Sequence, residues 1–100
     1  MSVVMILRIN ADPNALEAFA NAHAELMSGI ADAGKMAGAT RHTFAAGDTE
    51  ILVIDEWPDE ATFQSFFDSQ PDIPRIMQAA SAQGAPEISF YRKLDTPDQF

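Results

Sequence analysis

The chain holds two histidines, one tryptophan and no cysteine, so its chemistry must run through imidazole, carboxylate and indole groups rather than a thiolate. His42 lies in the run Ala39 to Ala46, and Asp55 and Trp57 close the apolar run Glu50 to Trp57. Gly47-Asp48-Thr49 between them reads as a hairpin turn. A loop with an even number of residues centred on Gly47-Asp48 sets His42 opposite Val53 and diagonal to Asp55, on the pleat face that also carries Phe44 and Trp57. Such a pair makes His42 a general base oriented by Asp55 beside an aromatic wall, which proton abstraction from an activated phenol or enol requires. A three-residue loop separates the two side chains. The plainer alternative is a solvent-facing histidine and an edge carboxylate.

Three further residues are candidates for substrate binding. Trp57 serves as an aromatic wall, or else as core or interface; when buried, its indole N–H needs a partner. Arg8, on a predicted strand with Asn10, serves as holder of a carboxylate or enolate, or else as one half of an ion pair. His23 falls on the apolar stripe of a predicted helix, where it is either a packed histidine satisfied by one hydrogen bond or a group that touches ligand. Neither HExxH nor HxH spacing occurs, so no metal is expected. Scattered glycines form no phosphate loop, and no Gly-x-Ser-x-Gly elbow is present, which argues against nucleotide cofactors and serine hydrolysis.

These side chains need a scaffold, and 100 residues are enough for one domain that buries roughly 65% of its unfolded surface. Fifteen acidic residues against six basic ones give a net charge of -9, a field that repels nucleic acid and anionic lipid. No apolar run approaches the ~20 residues of a membrane span, and the start of the chain lacks a basic leader. With no cysteine to protect, the expectation is a soluble, unprocessed cytoplasmic protein.

The elements follow from periodicity. Val3 to Ile9 alternates β-branched and long apolar residues and ends before Asp12-Pro13, which predicts a strand and then a helix capped by Asp12. Leu16, Phe19, Ala20, His23, Leu26, Met27 and Ile30 form one stripe, predicting a single helix of about five turns that fades near Gly34, with Lys35 to Gly38 as connector. Beyond the hairpin, Asp59 caps a helix that buries Phe63, Phe66 and Phe67 and stops at Pro71. Asp72 to Ala82 is a short further helix ending at Gly84, and Glu87 to Leu94 is the last strand. Residues 1–94 thus form one domain, and Asp95 to Phe100 a polar tail with an apolar end.

Strand, helix, strand, strand, helix, strand is the ferredoxin-like α+β order: a four-stranded antiparallel sheet with its helices on one face. The strands carry apolar residues on both faces, however, and the uncovered face calls for a second subunit. Hiding about 800 Å² per partner yields a gross hydrophobic gain on the order of 20–40 kcal/mol, so a homodimer packed sheet against sheet is expected.

The segment ILVIDEWPDEATFQSFFDS, residues 51–69, with its Glu56-Trp57 corner and Phe63 on the following helix, resembles the antibiotic biosynthesis monooxygenase-like superfamily of dimeric α+β barrels. DEWPD and the ending ISFYRKLDTPDQF are similar to small uncharacterised bacterial members. The resemblance implies a homodimer with a small-molecule pocket and, in its catalytic members, cofactor-free oxidation of aromatic polyketides. Haem-degrading members carry an axial histidine on the second helical segment, where this chain has Arg75, Ile76 and Met77. Monooxygenase members often place a histidine on the helix after the tryptophan, where Phe66, Phe67 and Gln70 stand here. The expected activity is cofactor-independent oxidation or isomerisation of an activated aromatic or polyketide-like substrate, with no cofactor. A non-catalytic dimeric binding or interaction module is the alternative.

Overall fold

A computed structural model describes residues 2–100. Strand β1 spans Val3–Asn10, helices α1 and α2 span Pro13–Ala22 and Ala24–Ala37, and strands β2 and β3 span Arg41–Ala46 and Glu50–Trp57. Helices α3, Glu60–Ser69, and α4, Ile73–Ala79, precede strand β4, Gln83–Arg92. The sheet runs β2-β3-β1-β4 with every neighbour antiparallel, and this is the ferredoxin-like α+β arrangement. Among the described residues no helix is long and apolar enough to cross a membrane.

Both proline- or aspartate-marked helix starts form as their chemistry dictates. Asp12 accepts from the backbone N–H groups of Asn14 and Ala15 at 3.0 and 3.3 Å, with Pro13 in the first turn. Asp59 accepts from Thr62 N–H at 2.7 Å, and the Thr62 side chain first and this N–H second hold its carboxyl below the usual aspartate range.

The five-turn helix is instead two helices, broken at His23, whose φ of -125° and ψ of 48° are not helical. A continuous apolar stripe hides this break. His23 closes it with its own side chain: Nδ1 lies 3.0 Å from the Phe19 carbonyl, to which it must donate, and the ring stacks on Phe19 at 4.2 Å. Helix α2 also outlasts Gly34 and runs to Ala37. Its stop is Gly38, at φ 118°, whose N–H returns to Gly34 and Lys35 carbonyls. A β-carbon at Gly38 would stand 2.7 Å from Pro58 Cγ, so this glycine both ends α2 and seats it on the corner after β3. The last helix is shorter than expected, and β4 begins at Gln83, four residues before the expected Glu87, because the chain pairs with β1 at once, Gln83 opposite Asn10.

All helices lie on one face of the sheet. Met5, Leu7 and Ile9 of β1 and Ile51 and Trp57 of β3 meet Leu16 and Phe63 there, each less than 9% exposed. On the other face Val4, Ile6, Leu52 and Ile54 remain half-buried, with nothing from this chain's helices over them. Two charge clusters bound that apolar strip. At one end Arg8 bridges Glu50 and Glu87 at 2.6 and 3.2 Å, and at the other Glu56 accepts from Arg41 at 3.2 Å and Lys93 at 2.9 Å.

Candidate functional site

The hairpin register decides the site. Arg41 pairs with Glu56, His42 with Asp55 and Phe44 with Val53, so His42 stands directly opposite Asp55 rather than opposite Val53. Gly47 N–H bonds the Glu50 carbonyl at 3.0 Å, which leaves Asp48-Thr49 as the two-residue loop. The expectation centred the loop one residue early because glycine is favoured where a turn needs positive φ; here Gly47 has none, and its role is room beside Glu50, whose Cγ would lie 3.2 Å from an added β-carbon. Moving the centre of an even loop by one residue shifts the partner by two. His42 and Asp55 therefore keep a common face, and the diagonal pair becomes a direct one.

The carboxylate of Asp55 is 5% exposed and is held from two sides. His42 Nδ1 lies 2.7 Å from Oδ1, and the Trp57 indole N–H donates to Oδ2 at 3.0 Å. A carboxylate accepts only, so His42 Nδ1 carries the proton and Nε2 keeps its lone pair. The His42 side chain is 46% exposed while Asp55 is enclosed, an imidazole at a mouth with its orienting acid behind it. Phe44 meets the His42 ring edge-on at 5.0 Å.

These three residues stand at one end of a cavity of about 350 Å³ between the sheet and the helices. Its wall is otherwise almost entirely hydrocarbon. Trp57 packs against Phe63 and Phe66 at ring distances of 5.5 and 5.1 Å. Helix α2 roofs the cavity, with Gly34 against the aromatic wall: an added β-carbon would make ordinary van der Waals contact, 3.6 Å from the Phe66 ring and 3.9 Å from Trp57. Among the described residues no group of three or more His, Cys, Asp or Glu could hold a metal ion.

The candidates separate cleanly. His42, Asp55 and Trp57 come together; Trp57, 2% exposed and facing the helices, is not on the free sheet face, which corrects its reading as an interface residue. Arg8 lies on the opposite face, tied to Glu50 and Glu87, both of which raise its pKa. His23 sits at the α1–α2 break against Phe19 and is not among the cavity-lining residues. Two features escaped the sequence reading. The Trp57 to Asp55 bond was accessible, since residues two apart on a strand share a face. The contribution of α2, with Gly34 and Lys35 on the cavity wall, was hidden by the expectation that the helix had ended.

The fold and site together define an α+β protein with a partly open, mostly apolar cavity whose polar groups gather at one end. No protein-family model matches the chain, and no curated protein does. Solved structures do. SnoaB, a cofactor-independent oxygenase from Streptomyces nogalater, is 18% identical at TM-score 0.62 over 98% of both chains. An antibiotic biosynthesis monooxygenase is 13% identical at TM-score 0.65, covering 93% of this chain and 99% of its own. A protein of unknown function from Nitrosomonas europaea is 20% identical at TM-score 0.62, covering 99% and 95%. At these identities the likeness is one of fold, and it spans essentially the whole chain.

Proposed function

We propose that the protein binds a small molecule in the cavity and acts on it without a cofactor, as an oxygenase or isomerase of an activated aromatic or polyketide-like substrate. The observation that carries this reading is the His42–Asp55–Trp57 chain at the polar end of the cavity. His42 is the general base: Nε2 takes a proton from an acidic O–H or C–H, and Asp55 stabilises the imidazolium that forms. Trp57 holds Asp55 and supplies a ring face. The enolate or phenolate left behind is the common intermediate of both reactions. Reprotonation at another carbon isomerises it, and attack on molecular oxygen oxidises it. Likeness in fold to a cofactor-independent oxygenase supports the second branch.

The working unit in this reading is a homodimer joined through the free sheet face. Val4, Ile6, Leu52 and Ile54 form the apolar centre such an interface needs, with charge clusters at the rim. A sedimentation experiment at micromolar concentration is expected to return a dimer, and a monomer would contradict it.

Proton abstraction is measured directly by deuterium exchange. With a panel of phenols and enolisable aryl ketones in heavy water, the wild type is expected to accelerate exchange at the acidic C–H of at least one compound, and His42→Ala to abolish the acceleration. Equal exchange by the two proteins contradicts the role of His42. Binding without exchange by either protein supports instead a non-catalytic binding module on the same cavity.

A further inference from the structure

The cavity is polarised along the strands. At the Ile51 end it is closed by Ile9, Leu16 and Ala80, all buried hydrocarbon. At the Trp57 end stand Thr40, Arg41, His42, Asp55 and the α2 residue Lys35. Lys35 differs from the other bases of this chain. Arg8, Arg41 and Lys93 are each tied to carboxylates, and Arg75 lies over the Phe19 ring at 5.5 Å. Arg92 does not line the cavity. Arg41 and Lys35 both line it, but Arg41 is held by Glu56, whereas Lys35 among the described residues is in no ion pair. In a chain of net charge -9, an exposed lysine in no ion pair beside the polar end of an apolar cavity is a local exception to the field around it.

From this juxtaposition we propose that the ligand is an amphipathic organic acid, its hydrocarbon or aryl body lying along the sheet toward Ile51 and its carboxylate recognised by Lys35. The inference rests on the cavity being a ligand site and deepens that reading by fixing the ligand's charge and direction. Two physical facts support it. A wall this apolar gives little orientation to a ligand, so the few polar groups at one end must set it. A neutral His42, the form that acts as a base, does not supply the charge, because its Nδ1–H is spent on Asp55 and its Nε2 is an acceptor. The anion-holding role expected of Arg8 thus passes to a lysine on the helix that roofs the cavity.

Calorimetric titration with 2-naphthoate and with 2-naphthamide separates charge from shape, since the two share an aryl body and differ in the head group. The wild type is expected to bind both and to prefer the acid. Lys35→Gln should weaken naphthoate about tenfold while leaving naphthamide unchanged, and Lys35→Glu should weaken naphthoate further with the same silence toward the amide. Unchanged naphthamide binding also reports that each variant is folded. Naphthamide binding with no preference for the acid, or a preference that survives Lys35→Gln, overturns the role of Lys35 and leaves the cavity as a ligand site. Failure of both compounds to bind the wild type overturns this proposal and the cavity's occupancy together.

Discussion

The two faces of the sheet put carboxylates on neighbouring rungs of the same hairpin to opposite uses. Asp55 points inward and accepts from a histidine and an indole; Glu56, one residue later, points outward and accepts from an arginine and a lysine. Permanent cations hold Glu56 ionised, Lys93 most strongly and Arg41 after it, against the opposing cost of burial. That arrangement cannot exchange a proton near neutral pH and ties β2, β3 and the residue just past β4 together. Inside, the partner of Asp55 is itself titratable, and its second nitrogen stays available. The lesson is that the partner, more than the carboxylate, separates a structural clasp from a site that can do chemistry.

The largest effects should come from the inner face. Phe63→Ala removes a ring that is 3% exposed and packs against Trp57, Phe67 and Phe90, and should cost about 3–5 kcal/mol in chemical denaturation. His42→Ala should lower proton-exchange turnover about 10²–10⁴-fold and, because it removes a donor from the buried Asp55 carboxylate, cost about 1–3 kcal/mol of stability. Trp57→Phe preserves most of the packing but strips Asp55 Oδ2 of its donor, an expected loss of about 1–3 kcal/mol in the same denaturation experiment.

Outer-face changes should be smaller and should show in pH dependence. Because the folded pKa of Glu56 lies below the ordinary glutamate value of 4.5, its stabilising contribution is complete above that pH and is lost as pH falls through the depressed value. Thermal melts across this acid range should therefore be flatter for Glu56→Gln than for the wild type, with a loss of about 1 kcal/mol near neutral pH, since Arg41 and Lys93 are half-exposed and screened. Arg8→Ala, at solvent-accessible ion pairs with Glu50 and Glu87, should leave the melting temperature nearly unchanged. A variant that reverses this ranking breaks the distinction between the faces.

Much of this architecture was legible in the chain. Alternating apolar runs marked the strands, Asp12-Pro13 and Asp59 marked helix starts, and the order of elements gave the sheet with helices on one face. The His42–Asp55 pairing was legible in parity but not in register, since Gly47-Asp48-Thr49 admits two even loops and only the Gly47 to Glu50 bond chooses between them. The break at His23 was illegible because an apolar stripe runs straight through it, and the bond that stabilises the break is made by a side chain to a carbonyl four residues back. Arg8 was placed on a strand correctly, yet its carboxylate partners come from β3 and β4, which only the folded sheet brings beside it. Lys35 was lost with the last turn of α2.

The tautomer of His42 tests the central claim most directly. Nitrogen-15 spectra of the imidazole side chains, taken where the rings are neutral, should show His42 protonated at Nδ1 and bare at Nε2, with Asp55→Asn disturbing that state. His23, which donates to the Phe19 carbonyl, should be unmoved and serves as the internal control. An Nε2–H tautomer for His42, or spectra identical in wild type and Asp55→Asn, would contradict an imidazole oriented by Asp55 and poised as a base.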